Sequence, residues 1–309
     1  MRVLITGGYG FIGSSVAEKF HSEGHEIYIL DNIFAGKKSN VSFEHIALIE
    51  DIQSEKCELF FKENSFDAVI HLAAQTLVQH SINQPVIDCD INIKGLCNIL
   101  DLSAKYGVKQ FVFASSAAVY GNNAQSPLSE TAVCEPASPY GLNKWVGEQY
   151  CQLWETLFGL KSIVLRFSNV YGPKNTENNE GSVIPLFMNQ LLRGDHLWVY
   201  GDGEQTRDFI FVEDVSEAIY RFLMAEVSGI FNLSTFESCS INGLIQSLQS
   251  FIPDVDVIYL PAREGDIRHS LLENHKLTET LGWHPQYKLI DGLKKTYEGL
   301  NGIPINLVH

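Results

Sequence analysis

The chain has 309 residues, of which 45% are hydrophobic, and a formal net charge of −15 at pH 7. This composition fits a globular protein with an ample core, and the negative charge argues against nucleic acid, whose phosphates need a positive surface. No segment has the roughly 18 consecutive apolar residues of a membrane-spanning helix, and the N-terminal apolar run is too short for a secretory signal. We therefore expect a cytoplasmic protein without a nucleic-acid or membrane partner.

Cysteine and histidine give no pattern that indicates a metal site or a disulfide. The 6 cysteines are scattered without a C-x-x-C pair, which favours free thiols in a reducing compartment. The 10 histidines show no ligand spacing, so we expect no metal.

Apolar strands alternate with amphipathic helices through the first half of the chain. We predict strands at 2–6, 26–30, 45–49, 67–71, 110–114 and 162–167, and helices at about 11–23, 90–106 and 139–158. Strands separated by helices form right-handed β-α-β units, and hence a parallel sheet covered on both faces. The fold class is therefore α/β, a doubly wound Rossmann domain.

The pattern changes after residue 173, where a polar stretch at 174–181 is followed by shorter elements and more frequent glycine turns. We predict a Rossmann domain at 1–173 and a smaller α/β substrate-binding domain at 174–309. Segments near 205–235 are expected to return to the first domain.

A glycine triplet follows the first strand, in T-G-G-Y-G-F-I-G at 6–13. Gly7, Gly10 and Gly13 permit a tight turn, the close approach of a pyrophosphate, and close packing of the helix on the strand. The N-terminus of that helix presents unpaired N–H groups and a partial positive charge to the anion. Strand, glycines, helix and second strand appear in the order of a dinucleotide site.

An acidic residue ends the second strand, where a dinucleotide-binding fold places a carboxylate on the adenine ribose. This residue, Asp31, would repel a 2′-phosphate and so favours NAD over NADP. Asp51 and Ile52, just past the third strand, are candidates for the adenine edge. A capping or turn role is the alternative for both aspartates.

The segment that begins at Ser138 predicts a helix carrying a tyrosine and a lysine. Serine is a good N-cap and Pro139 suits the first helical position, so Tyr140 and Lys144 lie four residues apart on one face. A phenol titrates near pH ~10. A lysine ammonium and a nicotinamide cation would lower that pKa and make a base usable near neutral pH. An exposed surface pair is the alternative.

A serine follows the strand at 110–114, at the carboxyl end of the predicted sheet, where open α/β folds bind ligands. Ser116 could share a hydrogen bond between the reacting hydroxyl and Tyr140. Ser115 is the alternative for this role. A purely structural alternative is that Ser116 only forms the turn after the strand.

The glycine triplet, D-N at 31–32, H-L-A-A at 71–74, Ser116 and the Tyr140/Lys144 pair stand in the order and spacing of extended short-chain dehydrogenases/reductases. Over nearly its whole length the chain resembles UDP-galactose (UDP-glucose) 4-epimerases and their N-acetylhexosamine-using relatives. The resemblance implies that Ser116 and Tyr140 handle the sugar 4-hydroxyl, and that Lys144 binds the nicotinamide ribose. It implies bound NAD, a UDP-sugar substrate, and inversion of C4 through a 4-keto intermediate.

The same resemblance implies two sets of binding residues. The cofactor-binding residues would be Gly7, Gly10, Phe11, Ile12, Gly13, Asp31, Asn32, Asp51, Ile52, Leu72, Ala73, Ala74 and Lys144. The substrate-binding residues would be Ser116, Asn169, Val183, Leu197, Tyr200, Arg207, Arg263, Asp266 and Ser270. Within the second set Asn169, Arg207 and Arg263 would contact the diphosphate, since a bidentate guanidinium suits a phosphate.

The remaining substrate residues concern the nucleoside and the sugar. By resemblance Asp266 would bind the uridine ribose and the segment 197–200 would lie along the uracil ring. Ser270 would stand beside the C2 substituent of the sugar, where a serine leaves room for an N-acetyl group. We therefore expect activity on UDP-GlcNAc/UDP-GalNAc as well as on UDP-Glc/UDP-Gal.

Related activities form the alternatives. Dehydratases of this type carry an acidic pair immediately after the serine or threonine, where this chain has Ala117 and Ala118. Decarboxylases of this type carry a glutamate in the same segment, which this chain lacks. A UDP-glucuronate 4-epimerase stays open, and a non-catalytic NAD sensor is the remote alternative. Helices near 91–102 and 145–157 could bundle with a second copy, because members of the resembled family are homodimers.

Overall fold

The structure, a computed structural model, describes residues 1–123, 126–175, 182–262 and 267–301. Its strands are β1 (Arg2–Thr6), β2 (Glu26–Asp31), β3 (Ile46–Ile49), β4 (Ala68–His71), β5 (Gln110–Ser116), β6 (Lys161–Phe167), β7 (Asn169–Tyr171), β8 (Leu197–Tyr200), β9 (Thr206–Arg207), β10 (Phe209–Phe211), β11 (Gly229–Leu233), β12 (Cys239–Ser240) and β13 (Val257–Leu260). Its α-helices are α1 (Phe11–Ser22), α2 (Lys56–Asn64), α3 (Val78–Asn83), α4 (Pro85–Cys89), α5 (Leu96–Lys105), α6 (Pro139–Phe158), α7 (Val183–Arg193), α8 (Val212–Met224), α9 (Ile241–Gln249), α10 (His275–Leu281) and α11 (Leu289–Asn301). Short 3₁₀ turns lie at Lys38–Asn40 and Ala117–Tyr120, and a π-helical turn at Asp90–Gly95.

Seven parallel strands form the central sheet, in the order β11-β6-β5-β4-β1-β2-β3. Successive side chains of a strand point to opposite faces, and both faces are covered. Val3 and Ile5 pack with α1 and α8 on one face, whereas Leu4 packs with α2 and α5 on the other. This arrangement confirms the predicted α/β, doubly wound Rossmann fold.

Later parts of the chain contribute to this sheet and also form a second core. Strand β11 pairs with β6, and α8 packs against α1 in the core of the large sheet. A separate apolar cluster joins α7, α9, β8 and β10, with Phe187, Leu197 and Leu244 fully buried in it. The domain boundary at residue 173 stays a prediction.

Element bounds differ from the prediction mainly at the helix expected over 90–106. The chain instead makes a π-helical turn over Asp90–Gly95 and becomes α-helical at Leu96. A Cβ on Gly95 would lie 2.4 Å from Cδ1 of Ile52, so the glycine lets this turn pack against Ile52. Helix α6 has the predicted bounds, because the Ser138 hydroxyl accepts a hydrogen bond from Gly141 N and Pro139 occupies the first turn.

Candidate active site

The carboxyl ends of the central strands form one edge of the sheet, and they carry polar residues. Thr6 ends β1, Asp31 ends β2, His71 ends β4 and Ser116 ends β5. Parallel register places these ends side by side, with Thr6 opposite His71. Ligands of open α/β folds bind at this edge, so the predicted cofactor and catalytic residues that follow these strands share one location.

The glycine loop after β1 forms a cradle that only glycine fits. Gly7 adopts a φ of +71°, and a Cβ placed on it would lie 2.8 Å from the Ala73 nitrogen. A Cβ on Gly13 would lie 2.1 Å from the Gly7 carbonyl oxygen. Gly10 precedes α1 as its N-cap without a side-chain hydrogen bond. The predicted residues Phe11 and Ile12 open this helix, whose positive N-terminal end suits a pyrophosphate.

The predicted adenosine residues lie together at the ends of β2 and β3. The buried Asp31 carboxylate accepts hydrogen bonds from Tyr9 N at 2.9 Å and from Ile33 N at 2.7 Å. The exposed amide of Asn32 donates to a carboxylate oxygen of Asp51 at 3.0 Å. Two backbone donors therefore fix Asp31, and Asn32 ties the two strand ends together.

A second loop closes on the glycine cradle, and the sequence reasoning missed it. A Cβ on Gly36 would lie 2.5 Å from the carbonyl of Tyr9, so this glycine allows backbone to meet backbone. Lys37 N and the Asn40 side-chain amide both donate to that carbonyl, at 3.1 and 2.8 Å. A glycine within the loop after the acidic residue was the available signal, but no spacing rule singles it out.

Ser115 and Ser116 have different surroundings, which separates the two candidates. The buried Ser115 hydroxyl donates to Oε1 of Glu148 at 2.5 Å, so it belongs to an internal network. The Ser116 hydroxyl accepts from Ala118 N at 3.2 Å and lies close enough to Tyr140 to lower the pKa of its phenol. The geometry therefore favours Ser116 as the partner of the tyrosine.

Tyr140 and Lys144 lie on the first two turns of α6, facing the end of β5. Lys144 is buried, its ammonium donates to the Ala114 carbonyl at 2.8 Å, and it stands 5.8 Å from the centre of the Tyr140 ring. Burial lowers the pKa of Lys144 to about 8, partly offset by the negative charge of Asp88.

The surroundings of Tyr140 raise the pKa of its phenol. The pKa of Tyr140 is raised to about 12, chiefly by burial; the Ser116 hydroxyl lowers it and the charge of Asp88 adds to the rise. The sequence predicts that the Lys144 ammonium and a nicotinamide cation together lower this pKa; among the residues of the chain, burial has the largest effect and acts in the opposite direction. With this pKa the Tyr140 phenol is protonated near neutral pH.

Two of the three predicted diphosphate residues, Asn169 and Arg207, lie where β7, β9 and β10 come together. The Asn169 side-chain amide donates to the backbone carbonyl of Asp208 at 3.0 Å, and Asp208 directly follows Arg207 in the chain. The Arg207 guanidinium donates to the Ile267 carbonyl at 2.7 Å. Arg263 and Asp266 lie outside the described residues.

Ser270 is half-buried. Its backbone N–H donates to the Thr206 carbonyl at 3.2 Å, which places Ser270 beside Arg207. Of the predicted uridine segment, Tyr200 is half-buried, while the Leu197 side chain is fully buried in the second core. Val183 begins α7 and packs against the same core.

Two further arginines, Arg166 and Arg268, have partners within the chain. Arg166 is buried and forms a two-pronged ion pair with Glu148, at 2.9 and 2.7 Å. Arg268 pairs in the same manner with Asp202 on the surface, at 2.7 and 2.9 Å. Both are tied to carboxylates of the chain, so neither is a candidate for the substrate phosphates.

Within the described parts of the chain, no group of three or more histidine, cysteine, aspartate or glutamate side chains is placed to hold a metal ion. None of the described helices is both long and apolar enough to cross a membrane.

Comparison with known proteins places these observations in a family. The profile of the NAD dependent epimerase/dehydratase family matches residues 3–234. A putative UDP-glucose 4-epimerase of Methanocaldococcus jannaschii is 38% identical over 295 residues, 95% of this chain and 96% of that protein. A UDP-N-acetyl-alpha-D-glucosaminuronate decarboxylase of Bacillus cytotoxicus is 32% identical, over 96% of this chain and 97% of that protein.

Two solved structures share the whole fold. The UDP-glucose 4-epimerase of Thermotoga maritima, solved with UDP-glucose, is 37% identical with a TM-score of 0.93, covering 98% of this chain and 99% of that one. The UDP-N-acetylglucosamine 4-epimerase of Methanobrevibacter ruminantium, solved with UDP-N-acetylmuramic acid, is 33% identical with a TM-score of 0.93, covering 97% and 98%.

Proposed function

The chain belongs to the NAD dependent epimerase/dehydratase family, and from that premise we propose that it is a UDP-hexose 4-epimerase. The observation that carries the proposal is the grouping of Ser116, Tyr140 and Lys144 at the carboxyl edge of the sheet, beside the glycine cradle. The reaction inverts C4 of the sugar through a 4-keto intermediate.

The chain's own residues fit NAD. The cradle of Gly7 and Gly13 leaves room for backbone to approach a pyrophosphate and for nothing larger than hydrogen on those glycines. Asp31 stands at the end of β2, where a carboxylate accepts ribose hydroxyls and repels a 2′-phosphate. When bound, NAD supplies the hydride acceptor and donor for C4, and a cation beside Tyr140.

The protein's part of the chemistry is proton transfer and placement. Tyr140 takes the proton of the sugar 4-hydroxyl. The Ser116 hydroxyl forms hydrogen bonds with both the sugar 4-hydroxyl and the Tyr140 phenol, and so positions them for the transfer. Lys144 binds the nicotinamide ribose and adds positive charge near the phenolate. Proton return by the same Tyr140 hydroxyl, after the flat keto sugar has turned, completes the inversion without net oxidation.

The turn after Ser116 argues against elimination or decarboxylation. Ala117 and Ala118 begin a 3₁₀ turn there, and Ala118 offers its backbone N–H to the Ser116 hydroxyl. Because both residues are alanines, this turn lacks the acidic residues that dehydratases and decarboxylases of this type carry in the segment. UDP-glucuronate 4-epimerisation stays the second candidate, because it differs only in how the C6 carboxylate is received.

Ser270 supports a wide sugar range. Its small side chain is half-buried next to Thr206, and the Methanobrevibacter ruminantium relative is named for UDP-N-acetylglucosamine. We therefore include UDP-GlcNAc/UDP-GalNAc with UDP-Glc/UDP-Gal among the substrates.

The proposal is tested by incubating the purified protein with UDP-GlcNAc or with UDP-Glc, without added NAD, and following products by proton NMR. Conversion of both sugars is expected. Conversion of UDP-Glc alone keeps the mechanism and removes the Ser270 argument. Conversion of neither sugar, with UDP-glucuronate also unchanged, overturns the proposal in favour of a non-catalytic NAD-binding protein.

We also propose a homodimer, built on α6 and the short helices beside it. Several exposed apolar side chains lie on these helices, and α3 and α4 both pack against α6. The exposed residues are Val78, Ile82, Val86, Ile87, Leu153, Leu157 and Phe158. Exposed apolar side chains grouped on neighbouring helices are typical of an interface between subunits.

A further inference from the structure

A buried carboxylate lies behind the Tyr140/Lys144 pair, and no prediction from the sequence used it. Asp88, on α4, is fully buried. It accepts hydrogen bonds from Gln75 at 2.5 Å, from Asn92 at 3.1 Å and from Asn143 at 2.7 Å. All three partners are neutral amides, and within the described chain no salt bridge reaches Asp88.

These three amides come from the three segments that build the catalytic end of the site. Gln75 directly follows the predicted cofactor segment 72–74, and its own backbone is held by Asn92 at both N–H and carbonyl, each at 3.0 Å. Asn143 stands on α6 between Tyr140 and Lys144. Asp88 therefore joins the cofactor loop, the π-helical turn and the catalytic helix.

The position of the charge matters as much as the contacts. A buried carboxylate without an opposite charge is costly, so a nearby cation stabilises it and is stabilised in turn. The titratable groups that face Lys144 are Asp88 on α4, Tyr140 and Cys151 on α6, and His71 on β4. Of these, Asp88 is the carboxylate, and its negative charge favours the ammonium form of Lys144.

We propose that Asp88 is a positioning residue of the active site, holding the Tyr140–Lys144 turn of α6 through Asn143 and supplying the buried negative charge that keeps Lys144 protonated. The proposal rests on the proposed function for the roles of Tyr140 and Lys144. The placement of the charge beside Lys144 is a property of the protein alone, and can be measured without turnover.

The first experiment titrates Lys144 in cofactor-free protein labelled with carbon-13 at the lysine Cε, with the resonance assigned by its loss in Lys144→Arg. The parent is expected to titrate near pH about 8. Asp88→Asn keeps the shape and removes the charge, so the Lys144 midpoint should fall by ~1 pH unit or more. The matched control is Asp90→Asn, which removes an exposed carboxylate two residues away and should leave the midpoint unchanged.

An unchanged Lys144 midpoint in folded Asp88→Asn overturns the electrostatic part of the proposal, whether or not the protein proves to be an epimerase. Asn143→Ala separates position from charge, because it keeps the carboxylate and removes its link to α6. This variant should retain the parent midpoint while kcat falls ~10-fold with little change in KM. A parent-like kcat in Asn143→Ala overturns the positioning role. This test of the positioning role does not depend on whether Asp88→Asn folds.

Discussion

The Thr6 hydroxyl donates a hydrogen bond to Nδ1 of His71, at 2.9 Å, across the ends of neighbouring strands β1 and β4. The direction follows from the other contacts of Thr6, whose oxygen already accepts from Leu72 N and Ala73 N, each at 3.2 Å. The histidine proton therefore sits on Nε2, and the ring is neutral. His71 in this way supports the backbone of the cofactor segment.

Protonation of His71 should destabilise the fold. Burial lowers the pKa of His71 to about 3, with the Lys144 ammonium adding to the effect, whereas an unfolded histidine titrates near 6.5. Between these values the unfolded chain binds the extra proton, so the contribution of His71 is complete above pH ~6.5 and declines as the pH falls. The expected slope is ~1.4 kcal/mol per pH unit, measured by urea unfolding between pH ~6.5 and ~4.5.

His71→Asn isolates this effect, because its side-chain oxygen can still accept from Thr6 but does not titrate. The variant should lose most of the slope assigned to His71. His284→Asn removes an exposed histidine and should keep the parent slope. Equal slopes in the parent and His71→Asn would show that His71 is not the group responsible.

Tyr140→Phe should lower kcat by a factor of ~100 to 10,000, the usual contribution of a positioned acid–base group, because no other side chain replaces the lost phenol. Binding of the UDP-sugar should change little, since the ring stays in place. The measurements are NMR turnover and calorimetric titration with UDP. Tyr150→Phe, ten residues further along α6, is the matched control and should turn over normally. Normal turnover by Tyr140→Phe itself would refute the tyrosine base.

Asp31→Asn should weaken NAD binding ~10-fold or more and reduce the preference for NAD over NADP, because it removes the charge that we propose meets the ribose hydroxyls. The Tyr9 and Ile33 backbone donors bind both carboxylate oxygens, so the substitution also loosens the turn after β2. Calorimetry of cofactor-free protein with each dinucleotide measures both effects. Asp51→Asn is the comparison, and should have the smaller effect on NADP. A preference for NAD that survives in Asp31→Asn would assign selectivity to other residues.

The sequence predicted the sheet and the position of the catalytic helix because both depend on local patterns. Apolar runs of four to seven residues with glycine turns define β1, β4 and β5, and Ser138 with Pro139 defines the start of α6. Such signals lie within a few residues of one another. Recognising these signals does not require knowing which loops meet in the folded structure.

What the sequence did not predict depends on contacts between distant segments. Gly36 matters because it meets Tyr9, 27 positions earlier in the chain, and Asp88 because it meets Asn143, 55 residues later. The pKa of Tyr140 also depends on burial that no spacing rule reports. Ser115 and Ser116 are adjacent and chemically equal, and what separates them is that Ser115 meets Glu148 whereas Ser116 meets the backbone of Ala118.

Leu157→Glu should convert a dimer into a monomer, if the apolar face of α6 is the subunit interface. Leu157 is 60% exposed, and with Leu153 one turn earlier it continues the apolar strip of that helix. A carboxylate there would be desolvated on association, which costs several kcal/mol unless a partner charge compensates it. Light scattering after gel filtration measures the mass, and Leu59→Glu, on the distant helix α2 with Leu59 55% exposed, is the matched control. A monomeric parent, or a dimer that persists in Leu157→Glu, would place the interface elsewhere or remove it.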